Sequence, residues 1–235
     1  MEGNNGKKMW ASLSIEEAIE IQNRLRQEIQ LIDKGDAVFD LVAGVDLAYW
    51  QKEGLEYAVC CIIVLEQRSK QVVERKHTLG VIDIPYIPGC LAFRELPLIL
   101  ETVKMLEVSP DLYLFDGNGY LHPRHMGIAT HASFYLNTPT IGVAKKYHKI
   151  GETDYLMPIN ENCAYTDIIM DGEVYGRAVR TLKNIKPVFV SAGNFIDLET
   201  ATKVVCDFVT PESHIPLPTR LADIETHRMR ERYSR

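Results

Sequence analysis

The chain has 235 residues, of which 46% are hydrophobic and 25% charged, and its formal net charge is -6 at pH 7. This balance is typical of a soluble globular protein with one sizeable domain, and it excludes a largely disordered or collagen-like chain. No apolar run approaches the roughly 20 residues needed to span a bilayer. Because nucleic-acid binders usually carry positive charge, a negative chain that bound a polyanion would need local basic clusters or metal ions that offset its carboxylates.

The cysteines and the N-terminus bear on cellular location. Five cysteines, an odd number without a CxxC pair, argue against a disulfide framework or a zinc ribbon. The opening MEGNNGKKMW has basic residues with no apolar stretch after them, so no secretory signal is expected. These features predict a protein of the reducing cytoplasm. Residues 1–8 are predicted to form a polar tail, and residues 9–235 a single domain.

The first half of the domain is predicted to be a helix, three strands and a second helix. Ser14 and Glu17 have capping-box spacing, and apolar residues at helical intervals predict an amphipathic helix that ends near Lys34 and Gly35. Three strand-like runs follow, FDLVAGVDLAYW, LEYAVCCIIVLE and QVVERKHTLGVI, and their short connections predict an antiparallel meander. The proline-rich segment DIPYIPGCLAFRE is predicted to be a shaped loop, followed by a helix with Pro97 in its first turn.

The second half alternates short apolar strands with helices. DLYLFDG and TIGVAKK are predicted strands, and residues 123–137 between them a helix lined with small side chains. A hairpin that turns at Asp171 and Gly172 and the strand KPVFVSAG come next. Two helices end the chain, one capped by Asp197 and one starting around Pro218. This order predicts an α/β fold, a mixed sheet flanked by helices in one domain, on the plan of the ribonuclease H-like nucleases.

Four acidic residues are candidates for a metal site. Asp46 interrupts an apolar strand, Asp116 ends one, Glu95 starts a helix, and Asp223 lies on the last helix. Each has an ordinary alternative, since such residues also occur hydrogen-bonded to backbone, in turns, at helix N-termini or in solvent. Their elements can nevertheless converge on one edge of a sheet. Mg²⁺ prefers carboxylate oxygens together with substrate phosphate, so an acidic cluster would reconcile nuclease chemistry with the negative net charge.

Three further residues have two readings each. Lys145 follows the strand TIGVA and either stabilises charge on a phosphate or is a solvated lysine. His122, in GYLHPR, either hydrogen-bonds near a phosphate or shapes the chain before the next helix. Tyr86 stands between two prolines on a stiff loop, where an aromatic ring can wedge between stacked bases or cover the core.

Six motifs carry a family resemblance: AGVDLAYW, PYIPGCLAFRELP, FDGNGYLHPRHMGIATH, TIGVAK, GRAVRT and PTRLADIETH, in this order between Ala43 and His227. Together they resemble the endonuclease V family, the deoxyinosine 3′ endonucleases of nucleic-acid repair. The most specific part is DGxGxxHPRxxGxAxH beside PYxPGxLxFRE. The resemblance implies a ribonuclease H-like fold and hydrolysis, with Mg²⁺ or Mn²⁺, of the second phosphodiester bond 3′ to hypoxanthine.

The resemblance also implies roles for individual residues. Asp46 and Asp116 match metal-binding aspartates, Glu95 the catalytic glutamate, also expected to bind metal, and Lys145 a lysine near the scissile phosphate. Asp223 stands where certain relatives have histidine, and is either a fourth acidic ligand or a neighbour. The residues implied to contact DNA are Pro85, Tyr86, Ile87, Pro88, Arg94 and His122. The residues implied to line the lesion pocket are Leu91, Gly117, Gly127 and Ile128. The role of Asn194, where many relatives have histidine, stays open.

The sequence therefore predicts a cytoplasmic, monomeric, Mg²⁺-dependent endonuclease, with Mn²⁺ as a substitute ion and no membrane partner. Its predicted substrate is DNA that contains deoxyinosine, with inosine-containing RNA as a second candidate, and its products carry 5′-phosphate and 3′-hydroxyl ends. Two alternatives stay open at this point. One is a ribonuclease H-like nuclease specific for DNA structure or for hybrids. The other is a non-catalytic lesion-binding protein that recruits other proteins.

Overall fold

The computed structural model describes residues 13–235, in which eight strands form one sheet and five helices pack on it. The strands are β1 (Leu41–Lys52), β2 (Leu55–Glu66), β3 (Val72–Val81), β4 (Leu112–Phe115), β5 (Thr140–Ala144), β6 (Ala164–Met170), β7 (Glu173–Arg180) and β8 (Val188–Ala192). The helices are α1 (Ile15–Arg26), α2 (Leu91–Val103), α3 (Ile128–Leu136), α4 (Leu198–Asp207) and α5 (Leu217–Tyr233). The predicted tail, residues 1–8, lies outside the described residues.

The strand order is β3-β2-β1-β4-β5-β8-β7-β6. The first three strands form the predicted antiparallel meander. β1, β4 and β5 are parallel neighbours in the centre, and β8, β7 and β6 continue the sheet in antiparallel fashion. The order and directions of the first five strands are those of a ribonuclease H-like fold, which confirms the predicted fold class.

Different helices cover the two faces of the sheet, because side chains along a strand alternate between its faces. Ala43 and Val45 of β1 join a core with α1, α2 and α3, whereas Val42 joins a second core with α4 and α5. α5 lies directly on β1 at Gly44, where a Cβ atom would stand 2.1 Å from the backbone of Pro218. The glycine therefore lets α5 approach β1 closely, and the following turns of α5 come next to the end of that strand.

Several local predictions are confirmed. Ser14 and Glu17 form the capping box of α1. Asp197 caps α4 by accepting a hydrogen bond from the Thr200 N–H at 2.8 Å. Asp171 and Gly172 turn the β6–β7 hairpin with φ of +51° and +82°, as a tight hairpin turn requires.

Three helix boundaries were predicted wrongly. α1 ends at Arg26 rather than near Lys34, because the chain beyond it hydrogen-bonds elsewhere, for instance from the Gln30 N–H to Asn194 Oδ1. α2 begins at Leu91, so Pro97 lies inside the helix and not in its first turn. Burial of the preceding turn in the core extends this helix in spite of the proline. α3 begins at Ile128, and the chain before it forms a short turn at residues 123–124 instead of a helix.

The cysteine prediction needs a correction. The structure places one disulfide, between Cys163 and Cys206, which are 43 residues apart in sequence with Cα atoms 6.0 Å apart. It joins the segment before β6 to α4, and such distant pairing leaves no local spacing signal in a sequence. Cys60, Cys61 and Cys90 are buried free thiols. Within residues 13–235, none of the helices is both long and apolar enough to cross a bilayer.

Candidate active site

Three of the four predicted metal ligands meet at one point. Carboxylate oxygens of Asp46, Asp116 and Asp223 all lie within 4.8 Å of one another, and we call these residues the carboxylate cluster. Parallel pairing sets Val45 opposite Phe115, so the next residue on each strand, Asp46 and Asp116, stand side by side. Asp223 arrives from α5, which Gly44 allows to lie against β1. The cluster thus stands beside the middle of β1 and at the carboxyl end of β4, and the carboxyl ends of central parallel strands are the usual position of ligand sites in such sheets.

Lys145 joins the cluster from the residue after β5. Its Nζ lies 2.6 Å from Asp116 Oδ2 and 2.7 Å from Asp223 Oδ1. Burial alone would lower the pKa of Lys145, but the hydrogen bonds and charges of these two carboxylates raise it overall, so the side chain stays charged. Three carboxylates beside one ammonium leave a formal excess of two negative charges. A divalent cation would balance that excess.

Asp46 is the most strongly perturbed carboxylate of the cluster. Burial, and then the charge of Asp116, raise its pKa, while a hydrogen bond from Thr226 and the charge of Lys145 lower it, and the net result is a pKa of about 7. Thr226 Oγ1 lies 2.7 Å from Asp46 Oδ2 and 2.8 Å from the Asp223 backbone oxygen. Sequence reasoning missed Thr226, although its position one helical turn after Asp223 was a usable signal.

Glu95 lies beside the carboxylate cluster and not within it. It comes from α2, on the opposite face of the sheet from α5, and its Oε1 accepts a hydrogen bond of 2.6 Å from the Tyr49 hydroxyl. Burial, with smaller contributions from the charges of Asp46 and Asp116, raises the pKa of Glu95 to about 7 in spite of the hydrogen bond from Tyr49, which lowers it. The charges of both aspartates therefore influence the protonation of Glu95, although its helix lies on the other face of the sheet. Its role as a metal ligand stays a prediction.

A cavity of about 310 Å³ adjoins the cluster through the Asp116–Gly117 peptide. The predicted residues that line it are Tyr86, Pro88, Leu91, Gly117, His122, Gly127 and Ile128. Sequence reasoning missed the other wall residues, which are Gly89, Ala92, Asn118, Pro123, Arg124, Met126 and His148. All four predicted lesion-pocket residues thus meet at one cavity. Its volume lies at the lower end of the range of about 300–1,000 Å³ for small-ligand pockets.

Residues 84–90, which we call the wedge loop, form one rim of this cavity. Tyr86 is 59% exposed near its tip, Pro85 and Pro88 are exposed, and Ile87 packs partly against the core. The buried side chain of Arg94 holds the start of the loop in place by donating a 2.6 Å hydrogen bond to the Ile84 carbonyl.

Arg94 and His122 were predicted to contact DNA, and the structure places both beneath the surface. Arg94 pairs with Glu56 at 2.7 Å. His122 Nδ1 accepts from the backbone N–H groups of Arg124 and Met126, which makes Nε2 the donor to the Gly89 carbonyl at 3.1 Å. Burial, and then the charge of Arg124, lower the pKa of His122 to about 4, so the ring is neutral at pH 7. In this structure both side chains support the wedge loop, and their contact with DNA stays a prediction.

Asn194 has a structural position. It is fully buried, and its Oδ1 accepts hydrogen bonds from the backbone N–H groups of Gln30 at 2.7 Å and Phe195 at 3.0 Å. These bonds attach the chain after α1 to the turn after β8. The side chain therefore joins two backbone segments, an arrangement that sequence alone left open.

Comparisons with known proteins agree with this geometry. A family model described as Endonuclease V matches residues 23–224. An endonuclease V of Bacillus thuringiensis is 55% identical over 219 residues, which cover 93% of this chain and 93% of that protein. The resemblance found in the motifs is thereby confirmed.

Solved structures show the same relationship. The crystal structure of endonuclease V from Bacillus subtilis matches with a TM-score of 0.92 and 50% identity, covering 95% of each chain. Ciona intestinalis endonuclease V, in complex with a 24mer DNA containing an inosine followed by a ribo-adenosine, matches with a TM-score of 0.80 and 29% identity, covering 93% of this chain and 98% of that one. The chain belongs to the endonuclease V family.

Proposed function

We propose that this protein is a metal-dependent endonuclease that nicks DNA containing deoxyinosine at the second phosphodiester bond 3′ to the deaminated base. The products would carry 5′-phosphate and 3′-hydroxyl ends, and inosine-containing RNA is the second candidate substrate. One observation carries the proposal: Asp116 belongs to the carboxylate cluster, and the next residue, Gly117, lines the cavity. A base held in the cavity would therefore have its neighbouring phosphates close to the cluster.

The carboxylate cluster has the donors for a divalent cation, Mg²⁺ or Mn²⁺. Its oxygens lie within 4.8 Å of one another, a spacing that small side-chain shifts can adapt to Mg–O bonds of about 2.1 Å. The excess of two negative charges matches the charge of the ion. When bound, such an ion lowers the pKa of water and stabilises charge on a leaving oxygen.

Glu95 and Lys145 would act on either side of the reacting phosphate. Because burial raises the pKa of Glu95 to about 7, this carboxylate can accept a proton from water near neutral pH. Lys145 carries a permanent charge at the cluster, where its ammonium can donate hydrogen bonds to a phosphate oxygen that gains negative charge.

The cavity would hold hypoxanthine flipped out of the base stack. An inosine pair is weak, so extrusion costs less than for a normal pair. Hypoxanthine carries a proton on N1 where adenine has a lone pair, and the buried Oδ1 of Asn118, a wall residue, has no hydrogen-bond partner among the described residues. This acceptor would favour hypoxanthine over adenine, while the exposed Tyr86 would fill the gap left in the stack.

The test is a nicking assay on duplexes that differ only by inosine or adenine at one position, with the matching RNA strands alongside. We expect Mg²⁺-dependent cleavage of the inosine strand, loss of activity with EDTA, and recovery with Mn²⁺. Sequencing gels and end-labelling would map the cleaved bond and the chemical ends. Equal cleavage of both duplexes would remove the substrate proposal, and stable binding without nicking in either ion would favour a non-catalytic lesion-binding protein.

A further inference from the structure

We propose that Gln22, on α1, is a positioning residue for lesion recognition, because it joins the wedge loop to the opposite wall of the cavity. The inference rests on the proposed function, in which that cavity receives the base. Gln22 precedes all the family motifs in the sequence and lies on an element that supplies no member of the carboxylate cluster.

The burial of Gln22 is the first indication. Gln22 is 0% exposed, on a helix whose other buried residue is the apolar Ala18. Transfer of an amide from water to a protein interior is unfavourable unless its hydrogen-bonding groups find partners. An apolar residue of similar size would fill the same space without that requirement. The glutamine is therefore explained by its hydrogen bonds rather than by packing.

These hydrogen bonds reach two segments that are far apart in sequence. Gln22 Nε2 lies 3.0 Å from the carbonyl oxygen of Gly89, at the end of the wedge loop, and 3.5 Å from that of Met126. Its Oε1 accepts a bond of 2.6 Å from Arg124 Nε. The two N–H groups and the oxygen of one amide are thus divided between the wedge loop and the turn at residues 122–126.

The Gly89 carbonyl is the centre of this arrangement. It also accepts from Arg124 Nη2 at 2.8 Å and from His122 Nε2 at 3.1 Å. Gly89 has φ of +77°, which favours glycine, and a Cβ atom there would stand 2.7 Å from Arg124 Nη2 and would displace that end of the arginine side chain. Gly89, Arg124 and Met126 all line the cavity. Gln22 bonds to Gly89 on one wall of the cavity and to Arg124 and Met126 on the other. The width of the cavity therefore depends on these bonds.

Gln22→Met tests the inference, because methionine keeps the length of the side chain and loses the amide. We expect a KM for the inosine strand about tenfold higher, from the loss of hydrogen bonds that leaves buried groups unpaired, with kcat within about twofold of wild type. Hydrogen exchange gives a readout besides activity: the Cys90 N–H, which donates to Ile87 O at 2.9 Å within the wedge loop, should exchange faster. Gln27→Met makes the same chemical change at an exposed site at the end of α1, and should behave as wild type.

Wild-type KM and wild-type exchange at Cys90 in Gln22→Met would overturn the inference, as would a loss of kcat at unchanged KM. If that variant does not fold, Gln22→Glu replaces it, since its carboxylate can still accept from Arg124 but cannot donate to Gly89. The raised KM and faster Cys90 exchange are expected there too, and wild-type values would overturn the inference. If wild-type protein did not prefer the inosine strand, the proposed function would fail, and the exchange result at Cys90 would still decide whether Gln22 holds the loop.

Discussion

The carboxylate cluster and the cavity share the Asp116–Gly117 peptide, yet they are built differently. Asp46 lies on β1 and Asp116 directly follows the adjacent parallel strand β4, where hydrogen bonds such as the one from Asp116 N–H to Val45 O fix the backbone. The cavity walls come largely from loops and turns, joined by side-chain bonds to single carbonyl groups such as that of Gly89. Regions with few backbone pairings open more easily than sheet centres. We therefore expect changes in the cluster to affect chemistry, and changes around the cavity to affect which base is bound.

Asp116→Asn should give the largest effect. The amide keeps the size of the side chain but removes one negative charge from the cluster, and metal catalysis contributes several kcal/mol. We expect single-turnover nicking of the inosine strand to fall at least about 100-fold. Binding of that strand, measured by fluorescence anisotropy, should change by less than about threefold, because the cavity that would hold the base is unchanged. A threefold change in Kd corresponds to under about 1 kcal/mol of binding free energy.

Asp171→Asn is the matched control for Asp116→Asn. It makes the same substitution in the exposed β6–β7 turn, where asparagine tolerates the positive φ of +51° equally well. Nicking by this variant should equal that of the wild type. Wild-type turnover by Asp116→Asn itself would rule out a metal-binding role for Asp116.

Gly127→Ala should give an effect of intermediate size, and it should weaken substrate binding rather than the chemical step. A Cβ atom at Gly127 would stand 2.2 Å from the carbonyl oxygen of Asn118, and because that atom belongs to the backbone no side-chain rotation relieves the clash. The cavity wall must shift, at a cost of about 1–3 kcal/mol. We expect the KM for the inosine strand to rise roughly tenfold to hundredfold, while the increase in Tm on adding Mg²⁺ stays as in the wild type.

Gly80→Ala in β3 controls for the added methyl group, since its Cβ would meet only the flexible end of the Leu98 side chain, at 3.0 Å. It should leave both kinetic constants near their wild-type values. A fall in kcat at constant KM in Gly127→Ala would show that the cavity and the cluster cannot be separated in this way.

The same contrast explains how far sequence reasoning reached. An aspartate inside an apolar strand and another just after a short strand are visible in the sequence, and parallel pairing brings such positions together, so Asp46 and Asp116 could be predicted to meet. The hydrogen bonds of Gln22 could not be predicted, because two of its three partners are backbone carbonyl groups, which every residue has. Gly89 was visible as a glycine in a loop, but not as the acceptor for three side chains.

Helix boundaries show a second limit. The apolar spacing of Ile29 and Ile32 resembles a continued helix, but the chain leaves α1 at Arg26, and the backbone beyond it donates to Asn194 and Asp197, more than 160 residues away. Long-range partners of this kind override local periodicity. The disulfide between Cys163 and Cys206 was missed for a related reason, since the fold alone brings the two residues together.

The pH dependence should give the smallest effect, and it tests the cluster together with the neighbouring Glu95, without the cavity. Burial raises the pKa of Asp46 from its usual 3.8, and that of Glu95 from 4.5, to about 7 in each case. The folded protein therefore binds these two protons more tightly than the unfolded chain does. In the metal-free protein, their contribution to the free energy of unfolding is fully present below about pH 4 and is lost as the pH rises through 7.

A divalent cation binds the deprotonated carboxylates, so it should compensate for this loss and bind more tightly as the pH rises over the same range. We expect the increase in Tm caused by Mg²⁺, measured by calorimetry, to be a few degrees larger at pH 8 than at pH 6. Gly127→Ala should keep this difference, because its clash lies in the cavity wall and not at the carboxylates. An equal increase at both pH values would mean that both carboxylates are already ionised at pH 6. The carboxylates would then be hydrated rather than buried. The cluster and the cavity would differ only in how their backbones are held, by strand pairing in one and by loops and turns in the other.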